Sequence, residues 1–162
     1  MADSNREIER KFHLGEPPDG LHDRPGTKIR QGYVATTEAG TEVRVRKEGK
    51  RHFLTIKEGH VQDRGQEEVE ITPAQFASLR PLTKGRRIRK VRYEAPLDGR
   101  KVQVDLYRRR LEGLITAEVE FPDGDAARRF QAPPWMGREV TGDERHSNQN
   151  LARHGMPQGA SR

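Results

Sequence analysis

Seven short segments of the chain alternate charged and apolar residues with a period of two. They are EIERKF, EVRVR, FLTIK, EVEI, KVRY, VQVDLY and AEVEF. Such alternation is typical of a β-strand whose two faces meet different surroundings. IRQGYV (29–34) is a further strand candidate, and turn signals such as GEPPDG, EAG, EGK and PLDG separate the segments. The pattern predicts about eight short strands in one mainly antiparallel domain.

Helical patterns are few and short. In ITPAQFASLRPL, Thr72 is a candidate N-cap and Pro73 a candidate first helical residue. DAARRF at 125–130 and part of the segment 140–152 are further helix candidates. We therefore expect an α+β fold that is mainly β, with a few short helices outside the sheet.

The charged faces of the predicted strands carry blocks of one sign, such as E-x-E, R-x-R and K-x-R. Like charges at i and i+2, about 6.6 Å apart, repel by roughly 2.5 kcal/mol at an effective dielectric constant near 20. One solvent-exposed face explains a single strand of this type, but seven together favour a bound ligand. The acids on these faces are Glu7, Glu9, Glu42, Glu68, Glu70, Asp105, Glu118 and Glu120. The bases are Lys11, Arg44, Arg46, Lys57, Lys90 and Arg92.

Composition favours a charged interior over a large apolar core. Charged residues make up 35% of the chain and hydrophobic residues 31%, whereas an ordinary domain is roughly 25% charged. A closed barrel of about eight strands has room inside for one small ligand. Basic blocks suit a multiply charged anion, and paired carboxylates suit a hard divalent cation. The residues therefore predict metal-assisted phosphoryl chemistry on a short polyphosphate.

Several other classes of protein are excluded. The chain has no cysteine, so disulfides and thiolate sites are absent. No apolar run reaches the roughly 18 residues of a membrane span, and the first residues lack a signal-peptide core. Nucleotide-binding glycine loops and the GxSxG motif are also missing. We expect a cytoplasmic protein with one domain over residues 1–152 and a disordered tail over 153–162.

Seven blocks of the sequence occur in the order found in a known family. They are EIERKF, IRQGY, EVRVR, FLTIK, KVRY, AEVEF and PPWMGREVT, within residues 6–152. In this order they resemble the CYTH domain of the triphosphate tunnel metalloenzymes, and most closely its short, stand-alone bacterial type. The resemblance implies a closed eight-stranded antiparallel barrel that forms a tunnel, and dependence on Mg²⁺ or Mn²⁺. The family's activities include inorganic tripolyphosphatase, thiamine triphosphatase, RNA triphosphatase and adenylate cyclase.

The resemblance implies roles for individual residues. The implied metal ligands are Glu7, Glu9, Asp105, Glu118 and Glu120. The implied triphosphate-binding residues are Lys11, Arg44, Arg46, Lys57, Lys90 and Arg92. Glu42, Glu68 and Glu70 would line the tunnel. From the paired charges we take Glu7, Glu9, Lys11, Glu68, Glu118 and Glu120 as the candidate catalytic residues. Among them, Glu68, Glu118 and Glu120 are the candidates to orient the attacking water.

Three positions depart from the family pattern. The segment EGHVQDRGQEEVE is longer than usual, so the alignment of Arg64 is open. Gln103 stands where an acid is common, which removes one potential contact to metal or substrate. His146 stands where short relatives tend to have tyrosine, which leaves a gating or stacking role open.

Inorganic triphosphate is the substrate that the sequence favours. The few aromatic residues (five Phe, three Tyr and one Trp) form no clear set for stacking a base. Thiamine or nucleoside triphosphate hydrolysis and adenylate cyclase activity are the alternatives. The net charge of +6 and the basic runs at 84–87 and 108–110 leave a non-catalytic polyphosphate or nucleic-acid binding module open. Nucleic acid is disfavoured because acids share the strands of the bases, and a homodimer is left open.

Overall fold

The computed structural model describes residues 8–58 and 66–157. The strands in this part of the chain are β1 (Ile8–His13), β2 (Gly26–Thr36), β3 (Glu42–Glu48), β4 (Arg51–Lys57), β5 (Gln66–Ile71), β6 (Arg87–Leu97), β7 (Arg100–Tyr107), β8 (Ile115–Phe121) and β9 (Arg138–Glu139). The α-helices are α1 (Pro73–Leu79), α2 (Gly124–Arg129) and α3 (Asn148–His154). Among the described helices, none is long and apolar enough to cross a membrane.

The described strands form one antiparallel sheet in the order β5-β4-β3-β2-β6-β7-β8-β1-β9. A mainly antiparallel fold with few helices is therefore confirmed. The expected closed, eight-stranded barrel is wrong for the described residues, since the sheet has nine strands and leaves β5 and β9 as separate edges. The ninth strand, β9, pairs with β1 where a closing strand would have to lie, and it is only two residues long. Two residues show no period, so the alternation could not reveal this strand.

The main apolar core lies on one side of the sheet, which we call the outer side. Val102 and Val104 of β7 are fully buried there, because they alternate with polar residues that face the other, inner side. Leu21, Ala127 of α2 and Met136 cover this core from outside. Each fully buried side chain of this size contributes roughly 1.5–3 kcal/mol through burial. The inner side is thereby left to the charged residues.

The start of α1 is confirmed as predicted. The Thr72 hydroxyl accepts a hydrogen bond from the Gln75 backbone N–H at 3.1 Å, and the Thr72 N–H donates to the Gln75 side chain at 2.9 Å. This reciprocal pair is a capping box, and Pro73 follows at the first helical position. Phe76 is the buried residue of α1, and its ring centroid lies 5.2 Å from that of His52. The helix therefore packs on the outer side of β4.

The helix α3 closes one end of the inner side. Leu151 packs in a buried cluster with Ile88 and Tyr107. The Tyr107 hydroxyl donates a hydrogen bond to the side-chain oxygen of Asn148 at 2.8 Å. This end of the inner side is therefore apolar and covered, so the charged residues have room only farther along the strands.

The C-terminal region differs in detail from the expectation. The helix predicted within 140–152 is a 3-10 turn at Glu144–His146 followed by α3. The helix α3 ends at His154, so it includes the first two residues of the segment expected as a tail. Residues 158–162 lie outside the described residues.

Gly137, which precedes β9, provides a test of how closely this strand must approach β1. Gly137 has φ +69°, and a Cβ there would lie 2.4 Å from the carbonyl oxygen of His13. Gly85 has φ +81° but no close neighbour among the described residues. We expect Gly85→Ala to lower the free energy of unfolding by about 1–2 kcal/mol, because a left-handed backbone strains alanine.

For Gly137→Ala we expect a loss of about 3 kcal/mol or more, because a backbone clash adds to the same strain. Urea denaturation of both variants and the unchanged protein measures the difference. Equal losses for the two variants would contradict a tight approach of Gly137 to β1.

Candidate functional site

The strand register brings the predicted site residues to the inner side of the sheet. Directly paired residues of antiparallel strands share a face, and the pairs continue from strand to strand. The predicted residues on this inner charged face are Glu9, Lys11, Arg44, Arg46, Lys57, Glu68, Lys90, Arg92, Asp105, Glu118 and Glu120. Glu7 lies outside the described residues.

Lys90, Arg92 and Asp105 form a buried ionic cluster at the centre of this face. The Lys90 Nζ lies 2.9 Å from Asp105 Oδ2, and Arg92 donates to both Asp105 oxygens at 2.8 and 3.0 Å. The side chains of Lys90 and Asp105 are only 2% and 5% exposed. Burial lowers the pKa of Lys90 to about 8, although Asp105 offsets part of that effect. Burial alone would raise the pKa of Asp105, but Lys90 and Arg92 hold it well below its usual range.

A tight turn fixes the register of this cluster. Asp98 and Gly99 have φ values of +50° and +75°, as a two-residue hairpin turn of type I′ requires. Starting from this turn, the β6–β7 ladder places Arg92 opposite Asp105. The resemblance implied a metal-ligand role for Asp105, but both of its oxygens already accept hydrogen bonds from cations. The structure therefore places Asp105 with the cations. The Asp98-Gly99 turn was the feature of the sequence from which the pairing of Asp105 with Arg92 could have been predicted.

Arg44 and Arg46 reach the inner charged face from β3. Both Nε atoms are buried and, in the described part of the chain, have no hydrogen-bond partner. An Nη of Arg46 lies 3.3 Å from Glu48 and 3.4 Å from Glu68, and the Thr55 hydroxyl donates to Glu68 at 2.8 Å. Burial and the charge of Arg44 lower the pKa of Arg46. Since buried donors nearly always have an acceptor, these two Nε atoms mark a place suited to an anion.

Two further predicted residues, Glu42 and Glu70, also lie on this face. Lys57 of β4 lies directly opposite Glu42 of β3, and Glu42 is buried. Glu70 of β5 accepts hydrogen bonds from Arg51 at 3.2 and 3.0 Å, and both side chains are more than half exposed. The pair of Glu70 and Arg51 therefore lies at the exposed rim of the face, whereas Glu42 is buried opposite Lys57.

The carboxylates of β1 and β8 form the other part of the face. Glu9 lies directly opposite Glu120, and Lys11 lies opposite Glu118 with 3.6 Å between Nζ and Oε1. Within residues 8–58 and 66–157, no three His, Cys, Asp or Glu side chains are grouped closely enough to hold a metal by themselves. Mg²⁺ and Mn²⁺, however, take carboxylate oxygens together with waters and substrate phosphates. Glu9 and Glu120 fit such an ion as a pair, because they are directly paired across β1 and β8 and supply carboxylate oxygens from the same face.

A buried histidine adjoins Lys11. The His146 Nε2 lies 3.2 Å from the His13 Nδ1, and the His146 Nδ1 lies 3.3 Å from an Asp143 oxygen. Burial lowers the pKa of both histidines. The Lys11 ammonium donates a hydrogen bond to the His146 backbone carbonyl. His146 thus holds Lys11 through its main chain, a contact that no side-chain pattern in the sequence could have indicated.

The comparison with known families covers nearly the whole chain, because the CYTH domain model matches residues 5–155. The chain belongs to the CYTH family. An inorganic triphosphatase of Nitrosomonas europaea is 43% identical over 148 residues, which are 90% of this chain and 96% of that protein. An inorganic triphosphatase of Acetivibrio thermocellus is 36% identical over 152 residues, or 92% and 94% of the two chains. A crystal structure of an inorganic triphosphatase matches with a TM-score of 0.76 and 40% identity, covering 93% of this chain and 96% of that one.

The inner charged face of this CYTH domain has a cationic part and a carboxylate part. Arginine and lysine side chains of β3 and β6 can bind phosphate oxygens, and carboxylates of β1 and β8 can hold a divalent cation or orient water. The two parts share one side of a single sheet. The arrangement therefore suits a highly charged phosphate compound that binds together with a metal ion.

Asp105 and Glu70 allow a matched test of burial. Each accepts two hydrogen bonds from one arginine, but Asp105 is buried and Glu70 is exposed. We expect Asp105→Asn to lower the free energy of unfolding by about 3–5 kcal/mol at neutral pH, because it leaves the buried Lys90 and the partly buried Arg92 without a counter-charge. We expect Glu70→Gln to leave the urea midpoint almost unchanged, because solvent screens the exposed pair. Equal midpoints for the two variants would contradict this role of Asp105.

Proposed function

We propose that this CYTH domain hydrolyses inorganic triphosphate to pyrophosphate and phosphate in a metal-dependent reaction. The observation that carries the proposal is the pair of buried Nε donors of Arg44 and Arg46, on the same side of the sheet as Lys90 and Arg92. Guanidinium groups match phosphate oxygens in geometry and charge. The names of the relatives from Nitrosomonas europaea and Acetivibrio thermocellus support the same substrate.

The aromatic residues of the inner charged face support a substrate without an organic group. Tyr33 and Tyr107 are each 1% exposed and pack with the buried residues of α3. Phe53 is buried beneath the guanidinium groups of Arg46 and Arg51, at 5.6 and 5.0 Å from its ring centre. Stacking of a base needs an open ring, and these described rings are all covered. Bare triphosphate is therefore favoured over nucleoside or thiamine triphosphate.

The cations bind and orient the phosphate chain. The proposed binding residues are Lys11, Arg44, Arg46, Lys57, Lys90 and Arg92. Asp105 holds Lys90 and Arg92 in place before the substrate arrives, so less side-chain freedom is lost on binding. Positioning and charge stabilisation of this kind carry most of the catalysis in phosphoryl transfer.

The carboxylate part of the face would hold the metal. Glu9 and Glu120 are the proposed ligands, with Glu7 and Glu118 as further candidates. When bound, Mg²⁺ or Mn²⁺ would neutralise charge on the phosphate oxygens. Repulsion between carboxylates and phosphates on the same face would be reduced in this way.

Water is the nucleophile in the proposed reaction. Its oxygen bonds to the terminal phosphorus, the bond from that phosphorus to the bridging oxygen breaks, and pyrophosphate leaves with the electron pair. A carboxylate orients the water and takes its proton, and the candidates are Glu68, Glu118 and Glu120. Glu68 already accepts a hydrogen bond from Thr55 and lies beside Arg46, which weakens it as a base. Because Glu120 is already a proposed metal ligand, we propose Glu118 of β8 for this role.

Other expectations from the sequence stay predictions. They are a cytoplasmic location and a single domain over residues 1–152, and a homodimer stays open. Nucleic acid stays disfavoured at the inner charged face, because the acids of β1 and β8 would repel its backbone.

Phosphate release from tripolyphosphate, ATP and thiamine triphosphate, each with Mg²⁺, Mn²⁺ or EDTA, tests the proposal. We expect metal-dependent turnover of tripolyphosphate at least about tenfold above the others.

Arg44→Ala/Arg46→Ala should lower kcat/KM by about 10²–10⁴-fold, since two charge-assisted hydrogen bonds of about 1.5–3 kcal/mol each are lost. Arg51→Ala changes an exposed position on the rim, so its kcat/KM should stay close to that of the unchanged protein. Absence of turnover with every substrate and metal would contradict the proposal.

The pKa of Lys90 predicts how activity depends on pH. Its ammonium is charged below pH 8 and loses its charge above it, because burial has lowered the pKa to about 8. The value of kcat/KM reports groups of the free enzyme, so it should fall as pH rises through 8. Lys90→Arg should move this fall to higher pH, because a guanidinium keeps its charge. Calorimetry in two buffers at a pH just above 8 should also show proton uptake when triphosphate binds. An identical alkaline profile for the variant, with no proton uptake, would contradict the assignment.

A further inference from the structure

The outer side of the sheet carries a second set of cations, which the proposed active site does not use. Arg30 of β2 lies directly opposite Arg89 of β6. Lys47 of β3 lies directly opposite Arg30 in turn. These side chains point away from Lys90, because neighbouring strand residues alternate between faces. Arg80 and Arg87 adjoin them, and we call Arg30, Arg80, Arg87 and Arg89 the outer arginine cluster.

The charges of this cluster are not neutralised within residues 8–58 and 66–157. Its guanidinium groups form no ion pair with a described carboxylate. Arg87 donates to the Thr83 hydroxyl at 3.0 Å and to the Arg80 carbonyl at 2.9 Å, which holds it without cancelling its charge. Burial and the neighbouring arginines lower the pKa of Arg80 and of Arg89. Directly opposed like charges destabilise a sheet, so the cluster favours an anionic partner.

Two clefts meet at Arg30 and Arg89. All four arginines of the cluster line the first cleft, together with the buried ring of Phe76. The second has a volume of about 410 Å³ and adds Lys28, Arg108 and Arg109. Lys90 also lines this cleft, although its side chain is only 2% exposed and is directed to the inner side of the sheet. Glu112 is the one carboxylate among the described residues that line the two clefts. The surface is therefore concave and almost uniformly positive.

We propose that this surface binds the chain of linear polyphosphate, at a site separate from the inner charged face. The row Lys47, Arg30 and Arg89 crosses three adjacent strands, whose backbones lie about 4.8 Å apart. A phosphate chain needs only such charges and guanidinium donors. A single-stranded nucleic acid would also need exposed rings on which its bases stack, and Phe76, the one aromatic ring lining the described clefts, is only 8% exposed. The observations therefore favour polyphosphate over RNA.

Binding of a labelled polyphosphate of about 30 phosphates, measured by anisotropy in EDTA at several salt concentrations, tests this proposal. Arg30→Gln/Arg89→Gln should weaken binding at least tenfold. The slope of log K against the logarithm of the salt concentration should become shallower by about 1.4, because two phosphate contacts are lost. The kcat/KM of this double variant for tripolyphosphate, measured with metal, should stay unchanged. Arg128→Ala/Arg129→Ala, which removes two exposed charges on α2, is the matched control and should bind as the unchanged protein does.

A second readout keeps the test independent of the ligand. Because Arg30→Gln/Arg89→Gln removes mutual repulsion, it should raise the urea midpoint of the free protein. Polyphosphate binding that is unchanged in this variant would overturn the proposal. A loss of binding in Arg44→Ala/Arg46→Ala instead would also overturn it, because the chain would then occupy the inner charged face. Tighter binding of an oligouridylate with as many phosphates would overturn it in favour of a nucleic-acid surface.

Discussion

The ionic contact of Asp105 with Lys90 and Arg92 is the interaction on which the inner side of the sheet depends. A buried lysine without a counter-charge would lose its proton or leave the interior. Asp105 prevents this because it accepts hydrogen bonds from both cations while itself almost fully buried. The same contact keeps two cations aligned on one strand. The stability of the inner side and the proposed anion binding therefore share these three side chains.

The alternation of the sequence was sufficient to predict which residues share a face. A strand of period two sends alternate side chains to the same side whatever its neighbours are, so Arg44, Lys90 and Glu118 could be grouped before the strand order was known. Sheet closure could not be predicted in this way, because it depends on which distant edges pair. At the β1 edge, the pairing partner is the two-residue strand β9. This strand is too short to show an alternating pattern in the sequence.

The roles of individual charges were harder to predict than their face. Alternation alone cannot distinguish a carboxylate that faces a metal from one that faces a lysine, and the family resemblance had implied a metal-ligand role for Asp105. The contact between Lys11 and His146 passes through a backbone carbonyl, which any residue would provide. Such contacts depend on tertiary position, so they became visible only in the folded chain.

The type I′ turn at Asp98 and Gly99 limits how the chain length can change. A one-residue insertion there would shift the β6–β7 register and turn each side chain of β7 to the opposite face. Asp105 would then enter the apolar core, and Leu106 would face Lys90. An exposed loop between other strands can gain or lose single residues with little consequence. At this hairpin only changes that preserve the parity of the register are compatible with the charged interior.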